Sequence, residues 1–169
     1  MRKILITLIV ILFAVSTFSA IGYEHFTVQE NQVFTELLVN LSRAFKGVGN
    51  QSNWGNEAIM TSINLVPLKT IIESKIAGYN IDIVVTDKRG IILYDADATE
   101  IGRNTLTDSL YQNFPELLDL FKQQIIPEKR GEGSYSLYAT GMGASEEKHV
   151  MWNTIEAFGT EIKVCMITK

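Results

Sequence analysis

The 169-residue sequence has one cysteine, two histidines and three prolines. Cys165 has no partner within the chain, so no disulfide framework supports the fold; in the apolar run 162–167 it reads as a small core residue. Neither His25 nor His149 has a cysteine or a second histidine at ligand spacing, which argues against a zinc site. Residues 95–100 begin like a calcium loop but lack its later glycine and distal glutamate, so they read as a solvated loop. Gly131-Glu132-Gly133 and Gly141-Met142-Gly143 do not open a helix that would cradle phosphate, and they read as turn glycines. No nucleophile elbow and no nucleophile–base pair occurs. The expectation is a protein that is not an enzyme and uses no metal or cofactor.

Positive charge is scarce outside the amino terminus. Removing Arg2 and Lys3 from the 15 basic residues leaves 13 against 19 acidic ones, a net of -6 over residues 23–169. Such a body repels phosphate backbones, which argues against nucleic-acid binding.

The first 22 residues are different in kind: 15 are apolar, and Arg2 and Lys3 are the only charges. The order basic, apolar, small has the layout of a secretory signal, with Ser16, Thr17, Ser19 and Ala20 as the small and polar end. The uncharged stretch 4–23 is also about 20 residues, roughly what spans a bilayer's hydrocarbon core. Signal peptide and uncleaved membrane anchor both stay open, and either would export the body to an extracytoplasmic site, periplasmic, secreted or membrane-anchored.

In the body, Val33, Phe34, Leu37, Leu38, Leu41 and Phe45 recur in steps of three and four, which predicts one amphipathic helix over 24–46. A second helical pattern over 56–76 is interrupted by Pro67, which removes a backbone donor. The period then changes. Residues 81–86 and 91–94 read as an antiparallel hairpin around Asp87-Lys88-Arg89-Gly90. A helix opens at Pro115, and strands follow at 134–139, 149–157 and 161–168. The predicted fold is α+β, a five-stranded antiparallel sheet with a long N-terminal helix packed along it. The parts are residues 1–22 as targeting segment, 23–80 as a helical region and 81–169 as the sheet domain.

The chemistry-bearing residues of the second half are amphipathic: Tyr94, Arg103, Tyr111, Tyr135, Tyr138, Trp152 and Asn153. Tyrosine and tryptophan combine apolar area with one hydrogen-bonding group, and arginine presents a fork that fits a carboxylate. Between a sheet and the loop above it, they would line a pocket for a small anion or zwitterion. Each also has a plainer reading, with Tyr94 and Trp152 as core aromatics and Arg103 as a surface ion-pair residue. Strand alternation places Tyr135 and Tyr138 on opposite faces, so both do not enter one cavity.

The order of motifs resembles the Cache family of extracytoplasmic sensor domains, whose fold is PAS-like. The matching pieces are Val84-Val85-Thr86-Asp87-Lys88-Arg89-Gly90-Ile91-Ile92-Leu93-Tyr94-Asp95, Glu100-Ile101-Gly102-Arg103-Asn104, Gly131-Glu132-Gly133-Ser134-Tyr135, Val150-Met151-Trp152-Asn153-Thr154-Ile155 and Gly159-Thr160-Glu161. The resemblance implies a ligand-binding sensor domain with a pocket between the sheet and the segment after the hairpin, taking carboxylates or amino acids. Its site residues here would be Tyr94, Arg103, Tyr111, Tyr135 and Trp152. Ile162 departs from the family, many of whose members have tryptophan there. With no kinase, cyclase or chemoreceptor module after Lys169, the expectation is that a separate membrane partner relays any signal. The alternative is an extracytoplasmic interaction protein without a small ligand, whose long helix pairs with itself or a receptor through Leu37, Leu41 and Phe45.

Overall fold

Helix α1 starts where the sequence supplies a reciprocal cap. The Thr27 backbone N–H donates to Glu30 Oε2 at 2.8 Å, and the Glu30 N–H donates to Thr27 Oγ1 at 3.2 Å. This pair satisfies two otherwise orphaned donors, so α1 spans Val28–Gly47 rather than beginning at residue 24. The structure is a computed structural model that describes residues 25–47, 67–138 and 145–168. The second helix, α2 (Leu68–Ile76), begins directly after Pro67. The part of the predicted 56–76 helix before Pro67 and residues 1–22, expected as a targeting segment, lie outside the described residues. Among the described residues, no helix is long and apolar enough to cross a membrane.

Strands β1 (Ile81–Asp87) and β2 (Ile92–Tyr94) form the predicted hairpin, with an irregularity between Val85 and Thr86. A 3-10 turn (Tyr111–Asn113) leads to α3 (Pro115–Leu120), which widens into one π turn (Phe121–Ile125). Strands β3 (Arg130–Tyr138), β4 (Ser145–Ala157) and β5 (Thr160–Thr168) complete an antiparallel sheet of order β2-β1-β5-β4-β3. The fold is thus the expected PAS-like α+β arrangement.

Two boundaries correct the sequence reading. Gly131 and Gly133 are not turn residues: both lie inside β3, paired with Trp152 and Val150. A Cβ on Gly131 would stand 2.3 Å from Trp152 Cζ2, and one on Gly133 would stand 2.7 Å from Leu120 Cδ1. At Gly131 glycine is therefore a packing requirement imposed by the Trp152 ring, whereas at Gly133 the atom in the way is the end of the Leu120 side chain, which can turn aside. Strand β4 also begins at Ser145 rather than at residue 149, extending its ladder with β3.

The sheet separates two apolar layers. On one face, Val33, Phe34, Leu37, Leu38, Leu41 and Phe45 of α1 and Leu68 and Ile72 of α2 pack on Ile81, Ile83, Val85, Met151, Ile155, Ile162, Val164 and Met166. Each such side chain contributes about 1.5–3 kcal/mol when fully buried. Leu37, Leu41 and Phe45 are 0–2% exposed, so the residues offered for partner pairing in the alternative reading are already used in the core. The β4–β5 turn fastens to the same layer. Phe158 has φ 53°, and its ring meets Phe45 edge-on at 5.5 Å. That contact holds a phenylalanine in a left-handed conformation that glycine or asparagine ordinarily takes.

Candidate ligand-binding face

The opposite face is built from rows that run across the strands. One row is Asp82, Ile167, Val150 and Gly133; the next is Val84, Cys165, Trp152 and Gly131. The β3 end of both rows is bare glycine, so Trp152 lies over Gly131 and Leu120 of α3 over Gly133. Tyr135, Leu120, Phe121 and Ile125 close the layer around Trp152 and Cys165. Burial pushes the Cys165 thiol up to about 12, against a small opposing pull from Lys163.

A third row is polar. Lys163, fully buried between Ile162 and Val164 in β5, donates from Nζ to the Glu128 carbonyl and to Thr154 Oγ1, both at 2.9 Å, with Glu161 at 3.5 Å. It ties the segment after the π turn to the sheet. A lysine among Ile162, Val164, Cys165 and Met166 is the sequence signal for this anchor.

The loop after the hairpin is fixed to the sheet edge mainly through backbone. Buried Asp87 accepts the N–H groups of Arg89 and Ile91 at 2.9 Å each and the Arg89 guanidinium at 2.6 Å, which shapes the turn. Gly90, at φ 82°, lets its carbonyl accept from the Thr105 N–H and hydroxyl. The Ile92 N–H donates to the Arg103 carbonyl, and the Gly102 N–H returns to Ile92.

Of the five predicted site residues, Tyr135 and Trp152 share this packed layer. Tyr111 is buried in the loop segment above, where its hydroxyl donates to the Glu100 carboxylate. Burial and that carboxylate push the Tyr111 phenol well above its ordinary value. Tyr135 shifts the same way, first by burial and then through electrostatic interaction with Cys165, Asp82, Asp95 and Glu100. The carboxylates were not among the expected site residues. Asp82 is legible in retrospect, because it alternates with Val84 on the same strand face.

The other two stand elsewhere. Tyr94 pairs with Val85 and belongs to the helix-packed layer, on the far side of the sheet from Trp152. Arg103 is a brace within the loop: Nε donates to the Thr99 carbonyl at 3.0 Å and Nη1 to Asp108 at 3.2 Å. Its fork is therefore occupied by the chain itself. Asn153 Oδ1 accepts the Thr154 N–H, and the Tyr138 side chain lies outside the described residues.

Two buried polar atoms of this face lack a partner among the described residues, Thr86 Oγ1 in the polar row and the Trp152 indole nitrogen in the packed layer. Trp152 is 0% exposed, and its indole N–H has no acceptor among the described residues. Leaving a buried donor unsatisfied costs about 1–3 kcal/mol.

No family model matches the chain, and no curated protein matches it. Similar solved structures include an extracellular ligand-binding receptor from Desulfohalobium retbaense DSM5692, at 22% identity and TM-score 0.41 over 60% of this chain. The match spans only 15% of that receptor's length. A PAS domain from a two-component sensor histidine kinase is similar at 11% identity and TM-score 0.41, over 59% of this chain and 93% of that one. A Cache chemosensory domain, solved to explain its carboxylic acid recognition, is similar at 12% identity and TM-score 0.34, over 85% and 99% of the two chains. These likenesses are of overall shape; the PAS-like description stands on this chain's own strand order and helix packing.

Proposed function

We propose that the chain is an extracytoplasmic small-molecule-binding sensor domain, exported or anchored through residues 1–22, whose site lies between the Trp152 face and residues 95–126. The observation that carries this reading is the orphaned indole N–H of Trp152, buried in the same layer as Tyr135. A fully buried donor without an acceptor is costly, and a ligand oxygen placed there would remove the cost.

Of the two ligand classes, organic anion and amino acid, the electrostatics favour the amino acid. A bare carboxylate entering this layer meets the negative charges of Asp82, Asp95 and Glu100 that act on Tyr135. A zwitterion offers an oxygen to Trp152 and an ammonium to the carboxylates. Arg103 is paired with Asp108 at 3.2 Å, so in this reading the carboxylates and Trp152 carry the recognition.

Thermal unfolding of the full chain against a panel of amino acids and short carboxylates tests this. A ligand at 100 times its Kd adds roughly 2.7 kcal/mol to stability. A shift with an amino acid supports the reading. No shift with any member, together with no small molecule in native mass spectra of the purified protein, removes it.

A further inference from the structure

Away from the Trp152 face, two histidines distant in sequence are brought together. His25, three residues before α1, stacks on His149 of β4 with ring centroids 4.1 Å apart and planes within 3°. His149 stands at the register position of Ser134 in β3, and its backbone N–H donates to Thr168 Oγ1 of β5 at 3.0 Å. Its Nδ1 is buried without a partner among the described residues, and so is Glu132 Oε2 on β3. Glu132 pairs with Met151, one diagonal step from His149 on the same sheet face, a spacing that long side chains reach across.

The charges around the stack are few. From α1, Glu30 is engaged by the Thr27 hydroxyl and N–H. From β4, Glu147 shares the face by alternation, while Lys148 belongs to the opposite face and is bridged to Glu146. From β5, Thr168 is uncharged. Glu24, next to His25 in sequence, and Lys169, next to Thr168, lie outside the described residues.

We propose that the His25–His149 stack is a pH-sensitive clasp that holds the segment entering α1 against the sheet near neutral pH and releases it in acid. A face-to-face pair tolerates one imidazolium, since a cation over a neutral ring is attracted and Glu132 supplies a counter-charge. Two imidazolium rings four ångström apart repel through a partly dehydrated gap.

The test is hydrogen exchange of the full chain at pH 7.5 and 5.0, corrected for intrinsic rates, reading α1 amides 31–37 against β4–β5 amides as reference. The expected result is a loss of α1 protection at pH 5.0 that the β4–β5 reference amides do not share. His25→Phe keeps a ring on His149 but cannot titrate, and should abolish the loss; His149→Phe should do the same. His25 is exposed, so its variant decides the matter even where His149→Phe fails to fold. Unchanged protection in the wild type, or an equal loss in His25→Phe, would overturn the clasp.

Discussion

Replacing Gly131 by alanine drives a methyl group into the Trp152 indole. The new Cβ would stand 2.3, 2.7 and 2.9 Å from Cζ2, Cη2 and Cε2, where carbon atoms ordinarily rest about 3.5–4.0 Å apart. The ring is fully buried, so it cannot swing into solvent to make room. Overpacking of this kind costs about 1–3 kcal/mol. Against that, alanine in a strand interior gains about 0.5–1 kcal/mol over glycine from reduced unfolded-state entropy. In a Trp152→Phe background the atoms that clash are gone, and only the gain remains. Urea unfolding of the wild type, both single variants and the double variant therefore yields a coupling energy of about 1–3 kcal/mol, with Gly131→Ala destabilising alone and neutral or stabilising once Trp152→Phe is present. Additivity of the two changes within about 0.5 kcal/mol would refute the claim that Trp152 is what requires glycine in β3.

The same layers set three further outcomes. Lys163→Met keeps the length of the side chain but leaves the Glu128 carbonyl and Thr154 hydroxyl without their donor, so stability should fall by about 1–3 kcal/mol in chemical denaturation; a gain would show that desolvation of the ammonium outweighs its bonds. The Cys165 thiol, raised by burial to about 12, stays protonated in the folded chain while the unfolded chain ionises near pH 9; stability should then decline by about 1.4 kcal/mol per pH unit from about pH 9 upward, and Cys165→Ala should remove that slope up to about pH 10, where the raised Tyr111 and Tyr135 phenols begin to contribute. Phe158→Ala should cost about 3–5 kcal/mol by emptying the space against Phe45, and a loss under about 1 kcal/mol would mean that the turn, not the ring contact, fixes the hairpin.

Helix α1 and the β1–β2 hairpin were legible because local patterns carry them: a 3.6-residue apolar period and an Asp–Gly turn. Strand β3 was not legible at Gly131 and Gly133, since glycine signals a turn locally and becomes strand only through neighbours distant in sequence. The candidate site residues are carried by weaker signals. Tyr135 and Trp152 were grouped by residue type and by the family resemblance, and both lie in the layer that α3 covers. The position of Tyr94 depends on the β1–β2 register, which slips between Val85 and Thr86 and sends its ring to the helix side. Arg103 pairs with Asp108, five residues on, the ion-pair reading that the sequence also offered, and such pairings of exposed loop residues carry no periodic signal.

The central claim is that a ligand oxygen completes the orphaned donor of Trp152. The most direct measurement is the indole N–H resonance of Trp152 in the full chain, assigned by a Trp54→Phe variant that leaves a single indole signal. Adding the amino acid that raises thermal stability should move that resonance downfield and slow its exchange with solvent, while Trp152→Phe should weaken binding by about tenfold, the equivalent of one hydrogen bond of about 1.4 kcal/mol. An indole resonance that stays in place under saturating ligand, with affinity unchanged in Trp152→Phe, would contradict the account.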